Sequence, residues 1–408
     1  MTKVFILFIY LGCNVAFANA DKYCTNLDKF TWIKKSNIQN FKNSFCNKPN
    51  ITIETNAKSI NIDCKDSDKY LLIDKPLTLD NGEVNTIKNC NIIQNSEILL
   101  KKANLDLLNN NIVALFGENT NLKANVNGPL DFLFKIYHNK TKRNINVKHN
   151  TIYSLDKYSS GFIWTYTKPA TMDSSNYDSI HIIGNNFNNL HAVLYLHYFS
   201  GEIKDNYFYR NSFGNIVFSY ANNVTVNNNK ILFSGNGTSG DGMTLSNLQN
   251  TIIDSNQIIA GSCYGIAIGG NNKKLKITNN LISDDITSAL YFKPMSSYKT
   301  IEIKNNIFLN NDSWSIAFNK NTIFKDLIIS NNIFHKGVQE NPDDKSKNKG
   351  GERNNLRKNI YMHASSIVEN VNKDDNIYFN NFLKLDKRIK DYSHVKPFST
   401  IINEDNIK

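Results

Sequence analysis

Ile180-His181-Ile182-Ile183-Gly184-Asn185-Asn186-Phe187 reads apolar, any, apolar, two residues, Asn, any, apolar. The same phrase returns at Val224-Val226-Asn229-Ile231, Leu275-Ile277-Asn280-Ile282, Ile301-Ile303-Asn306-Phe308 and Leu327-Ile329-Asn332-Phe334. Looser copies carry Asn110, Asn150, Asn206, Asn256 and Asn380. From Asn185 to Asn332 the spacings are 21, 23, 27, 24, 26 and 26 residues. A period of that size, with two-residue alternation inside each unit, predicts a parallel β-solenoid.

One coil of three short strands cannot bury its own inward side chains. Stacking coils at about 4.8 Å lets Ile, Val, Leu and Phe pile on their counterparts above and below. The Asn is expected to take the bend between two strands, because it tolerates left-handed backbone geometry. Its amide is then placed to bond the Asn of the next coil.

The chain has 408 residues, yet a solenoid core grows along one axis, so length alone requires no division into domains. The expected organisation is a leader over 1–20, an N-terminal cap over 21–50, a β-helix over 51–385 and a C-terminal tail or cap over 386–408. Residues 336–358 form a long polar excursion where one coil is due, since Asn332 to Asn380 is 48 residues, or two periods. Lys3, the apolar residues 4–12 and Ala18-Asn19-Ala20 have the order of a secretory signal. The apolar run is too short to span a membrane. These features predict a secreted or periplasmic protein without a transmembrane span. Leu11-Gly12-Cys13 offers the alternative of lipoprotein anchoring through Cys13.

Five further cysteines fit an oxidising compartment. Cys90 occupies the position that Asn holds in other coils, and Cys64 lies one period earlier. Neighbours on adjacent coils are close enough to bridge, so Cys64–Cys90 is an expected disulfide. Cys24 and Cys46 flank Leu27, Phe30, Ile33, Ile38 and Phe41 at roughly helical spacing. They are expected to staple a cap over the first coil's open edge. Cys263 is left as a buried thiol. The net charge is +11, or +10 once Lys3 leaves with the leader. In an exported protein this favours an acidic polysaccharide or other anionic glycan, or an anionic membrane face, and argues against nucleic acid. Coding bias toward Lys, Asn and Ile is the plain alternative. Oligomeric state is not set by these features.

After each Asn turn comes a second strand: Ala192-Val193-Leu194-Tyr195, Asn215-Ile216-Val217-Phe218, Gly242-Met243-Thr244-Leu245, Gly265-Ile266-Ala267-Ile268, Ala289-Leu290-Tyr291-Phe292 and Ser315-Ile316-Ala317-Phe318. Read as small-residue openers, these strands put His191, Gly214, Asp241, Tyr264, Ser288 and Trp314 in one outward column. Residues just past the strands add His197, Tyr220, Asn247, Lys293 and Lys320. His191, Asp241 and Tyr264 are the catalytic candidates. Arg210, Lys293, Trp314 and Lys320 are the substrate-binding candidates, since cations pair with carboxylates and an indole matches a sugar's C–H face. Inverting hydrolysis needs two carboxylates about 6.5–9.5 Å apart, for which Asp241 and Asp285 are available. Elimination or epimerisation needs a base near the acidic carbon and a cation for the enolate-like intermediate. No cofactor is expected; Ca2+ would require Asp284, Asp285 and Asp312 to converge. The remaining histidines, His181 among them, look isolated.

The Asn ladder resembles the right-handed parallel β-helix, or pectin-lyase-like, superfamily of pectate lyases, polygalacturonases and alginate lyases and epimerases. Residues 70–79, YLLIDKPLTL, resemble the opening coil of periplasmic β-helix proteins. The likeness covers about residues 50–385. It implies an all-β, single-stranded right-handed parallel β-helix of roughly a dozen coils. Asp241-Gly242 is similar to the end of the polygalacturonase Asn-Thr-Asp-Gly motif, with Ser239-Gly240 in place of Asn-Thr. Where that family has paired aspartates one coil later, Cys263-Tyr264 stand here. Its Gly-His-Gly motif and the Asp-Pro-His-Asp motif of alginate epimerases are absent. The resemblance therefore implies a fold and no single activity. The expected function is a lyase, epimerase or hydrolase acting on a uronate-containing polysaccharide. The alternative is a non-catalytic adhesin or glycan-binding or assembly protein.

Overall fold

The computed structural model describes residues 35–53, 57–115, 132–137, 141–155, 161–166, 177–232, 240–259, 263–283, 287–309, 314–335, 360–362, 365–372 and 376–379. The predicted leader, the 336–358 excursion and the tail lie outside them. Among the described residues the strands form three long sheets, of 13, 11 and 12 strands. Each coil visits them in the same order. The first, here the ladder sheet, holds the strands that follow the Asn, such as Asn186–Asn188 and Gln257–Ile259. The second, the groove sheet, includes Ala192–His197, Asp241–Ser246 and Trp314–Phe318. The third, the back sheet, includes Asp178–Ile183 and Phe199–Lys204. Every pairing is parallel and joins a strand to its counterpart one coil away, as in Ile180 opposite Gly201 and Val226 opposite Ile253.

The core is the stacked inward positions. Ile182, Phe187, Leu194, Ile203, Phe208 and Ile216 are all fully buried. Aromatic members stack in file, with Phe187 and Phe208 ring centroids 5.0 Å apart and Phe308 and Phe334 at 5.2 Å.

The ladder is continuous. Nδ2 of each of Asn110, Asn150, Asn185, Asn206, Asn229, Asn256, Asn280, Asn306 and Asn332 donates to Oδ1 of the next, at 2.9–3.0 Å, the last of these bonds reaching Asn376. The same Oδ1 accepts the backbone N–H of the ladder residue before it, at 2.8–3.1 Å. A buried amide is tolerated only when so satisfied. Two expectations change here. The ladder passes from Asn332 to Asn376, 44 residues on, and not to Asn380, which lies outside the described residues. The left-handed residue is the one before the ladder Asn: Asn109, His149, Gly184, Asp205, Asn228, Ser255, Asn279, Asn305 and Asn331 have φ of 52–66°.

Cys90 stands in the ladder, its N–H donating to Asn110 Oδ1 at 3.0 Å, and is disulfide-bonded to Cys64 with Cα atoms 4.9 Å apart. Cys46 is disulfide-bonded too; its expected partner Cys24 lies outside the described residues. Cys263 is in no disulfide and is partly exposed, not buried. The helix Lys35–Phe45 packs against the coils. Its Phe41 and Phe45 are buried against Tyr70, Leu72, Ile93, Val113, Leu115, Tyr153 and Leu155. Those residues face outward from the first ladder-sheet strands, so that wall is apolar on both faces and needs a cover.

Candidate functional site

The groove-sheet strands enter with two consecutive core-facing residues, Val193 and Leu194 in one coil. In another, Gly242 sits where a Cβ would meet the Gly265 carbonyl at 2.5 Å and Ile258 Cγ2 at 2.6 Å, so only glycine fits between stacked coils. This break in alternation throws the preceding residue outward. Three outward columns follow. The first runs Ala192, Gly214, Asp241, and then Tyr264, Ser288, Trp314. The second runs Trp164, Tyr195, Val217, Thr244, Ala267, Tyr291, Ala317. The third runs His197, Ser219, Ser246, Gly269, and Lys293 lays its stem over Gly269.

Asp241, Tyr264 and Trp314 therefore share a column, as the sequence predicts, while His191 does not. Ala192 takes the place expected for His191, because Val193 is the strand opener in that coil. His191 sits one residue earlier, in the corner. Its ring stacks on Phe213 at 5.5 Å and its Nδ1 meets Ser212 Oγ at 2.7 Å. Burial holds the His191 imidazole below the ordinary histidine range, so it stays neutral at pH 7. Arg210 is also displaced: its guanidinium lies over the Tyr209 ring of the ladder sheet at 5.2 Å. Lys320 is exposed in the turn beyond the third column, its N–H on Asn319 Oδ1 at 2.7 Å. Lys293 remains on the groove face.

Around the surviving candidates the geometry is specific. Tyr264 and Tyr291 stack with centroids 4.1 Å apart and planes 5° from parallel. With Thr287, Ser288, Trp314, Ala317 and Asn319 they line a cleft of about 200 Å³. One Asp241 carboxylate oxygen accepts the Tyr264 N–H at 3.3 Å, and the other accepts the Thr244 hydroxyl. Asn319 donates its amide to the Tyr291 hydroxyl. Burial, reinforced by the Tyr291 phenol, pushes the Tyr264 phenol well above the usual tyrosine range. Tyr264 thus offers a proton and not a base at neutral pH.

Tyr291, Thr244, Asn319, Tyr195 and Trp164 escape the sequence reading of the site. The signal for Tyr195, Thr244 and Tyr291 lies in the fourth and third letters of their strands, where polar or aromatic residues interrupt an otherwise apolar run. Among the described residues no three His, Cys, Asp or Glu gather as a metal site, and Asp284, Asp285 and Asp312 lie outside them. Among the described residues no helix is long and apolar enough to cross a membrane.

A family model for the right handed β-helix region matches residues 136–293 and 172–334, so this part of the chain is a right-handed parallel β-helix. No curated protein matches the chain in sequence. Among solved structures, the periplasmic alginate epimerase AlgG is 13% identical, with a TM-score of 0.46, covering 76% of this chain and 78% of that one. A lacto-N-biosidase of Eubacterium ramulus is 10% identical, with a TM-score of 0.39, covering 76% and 62%. The A-module of a mannuronan C-5 epimerase of Azotobacter vinelandii is 10% identical, with a TM-score of 0.33, covering 76% and 90%. These likenesses are of fold alone.

Proposed function

We propose that this β-helix is an exported carbohydrate-active protein that lays a uronate-containing polysaccharide along the outer face of its groove sheet. The observation that carries this reading is the cleft in which Tyr264, Tyr291 and Trp314 stand beside Asp241. Flat aromatic faces suit the C–H face of a pyranose, and polar groups fix its hydroxyls. Lys293, two coils from Asp241, is roughly 10 Å away along the axis, a span that fits a neighbouring sugar's carboxylate.

The residue types favour elimination or epimerisation at the carbon beside the uronate carboxylate. Asp241 acts as the base that removes that proton. The neutral Tyr264 phenol donates on the other side, and Lys293 offsets charge on the carboxylate. A hydrolase would need a second carboxylate, and Asp285 is the residue to supply it. The displacement of His191 from the column favours the second reading, a non-catalytic glycan-binding β-helix.

The test is incubation with alginate, pectate and glycosaminoglycans. Absorbance from new unsaturated ends reports a lyase, and sugar-ring NMR reports epimerisation. Asp241→Asn is expected to abolish turnover while leaving stability within about 0.5 kcal/mol, as for other surface changes. Lys293→Ala is expected to weaken acidic glycans more than neutral ones. Binding without turnover selects the second reading, and no binding of any acidic glycan defeats both.

A further inference from the structure

His181, isolated in sequence, has two partners on the back sheet. Its Nδ1 meets Glu202 Oε1 at 3.1 Å, and its Nε2 meets Ser179 Oγ at 3.1 Å. The fold fixes both contacts. Ser179 and His181 lie two apart on the strand Asp178–Ile183, on its outward face, and Glu202 is in register with His181 on the next strand. An ionised carboxylate only accepts, so Nδ1 carries the imidazole hydrogen. In the neutral ring this tautomer leaves Nε2 as the acceptor for the Ser179 hydroxyl. A histidine serving only as a surface ion partner has no need of a hydroxyl on its far nitrogen.

We infer that Ser179, His181 and Glu202 form a second, esterolytic site for short O-acyl esters carried on a sugar. Both hydrogen bonds lie within the reach that a serine nucleophile and its base require. Asn144 stands opposite Ser179, and Asn146 opposite His181. Asn146 gives one amide hydrogen to Asp106 at 2.8 Å and has a second with which to meet an oxyanion. At the corner before Ser179, Tyr198 and Tyr220 stack at 4.7 Å, with Tyr177 edge-on to Tyr198 at 6.0 Å. Tyr220 is 43% exposed, which leaves an aromatic surface for a sugar ring beside the nucleophile.

In the reaction Ser179 Oγ attacks the ester carbonyl carbon while its proton passes to His181 Nε2. The tetrahedral oxyanion collapses, the C–O bond to the sugar breaks, and the leaving alkoxide takes the proton from His181. Water then attacks the acyl-serine, giving its proton to His181, which returns it to Ser179 as the carboxylic acid leaves. Ser179 and His181 touch the reacting atoms; Glu202 is a positioning residue. The site is on a different sheet from the glycan groove and does not depend on that reading.

The test uses the whole 408-residue chain with p-nitrophenyl acetate, glucose pentaacetate and a fluorophosphonate. The expected results are hydrolysis above buffer, a phosphonyl adduct mapped to Ser179, and loss of both in Ser179→Ala and His181→Gln. Far-UV circular dichroism should be unchanged in each variant, since the residues are on the surface. Glu202→Gln should lower kcat about 10²-fold or more and move the rising limb of the rate–pH profile to lower pH, with Glu202→Asp restoring part of the rate. No Ser179 adduct, together with wild-type hydrolysis equal to that of Ser179→Ala, overturns the inference. So does an adduct confined to another residue.

Discussion

Asn229 shows what one ladder residue does. Its Oδ1 accepts from the Asn206 N–H and Nδ2, at 3.1 and 2.9 Å, and its own Nδ2 reaches the Ile203 and Asn227 carbonyls and Asn256 Oδ1. Alanine there strands two buried donors and two carbonyls. Each unmet buried group costs about 1–3 kcal/mol, so Asn229→Ala is expected to lose about 3 kcal/mol or more, read from the urea midpoint. Its neighbour has a different task. Asn228 adopts φ 52°, which glycine also adopts freely. Asn228→Gly is expected to cost under about 1 kcal/mol, chiefly the exposed bond to Asp205 Oδ1. The two roles were merged in the sequence because doublets such as Asn228-Asn229, Asn279-Asn280 and Asn305-Asn306 fill both positions with one residue type. Period and inward positions were legible; which Asn turns the chain was not.

Among elements, the first ladder-sheet strands are apolar on both faces and show no phase, but elsewhere the ladder sheet and back sheet alternate, and their register could be read from the apolar phase. The groove sheet does not. Two inward residues in succession at its strand entrance make the phase depend on which small residue opens the strand. Where Val193 replaced that small residue, the reading slipped by one and placed His191 on the groove. Asp241, Tyr264 and Trp314 fell in coils whose opener is small, and they were read correctly. The buried pair of Arg143 and Asp178, joined at 3.0 Å with Arg143 also capping the Leu100 and Lys101 carbonyls, had no sequence signal. Arg143 and Asp178 stand opposite each other on adjacent coils, 35 residues apart, at a position that Phe199 fills in the next coil, so no residue type repeats there to mark it. The Cys64–Cys90 bridge was legible because it occupies a repeat position. It closes a 26-residue separation between two early coils. Replacing both cysteines with alanine is expected to cost about 3 kcal/mol by chain entropy, and the lowered thermal midpoint would report it.

Across the molecule, each coil is held by its neighbours, so the chain's response to pH sums over groups buried along the whole stack. Burial pushes the phenols of Tyr153 and Tyr298, and of the half-buried Tyr264, above the free value of 10.0. The unfolded chain releases these protons near that value, while the folded chain keeps them. Above it the unfolded state binds fewer protons, so stability falls as pH rises, by about 1.4 kcal/mol per pH unit for each of the buried Tyr153 and Tyr298, and by less for the solvent-screened Tyr264. The thermal midpoint should therefore hold steady near neutrality and drop steeply once pH passes 10.0. Tyr153 separates this effect from general alkaline damage. Its hydroxyl is buried beneath the N-terminal helix and, among the described residues, makes no hydrogen bond. Tyr153→Phe removes one buried phenol without breaking a bond. It should leave the neutral midpoint unchanged or raised and make the alkaline decline shallower. A Phe variant that declines as steeply as the native chain would show that Tyr153 ionises equally well folded and unfolded, and that burial along the ladder sheet is looser than its packing implies.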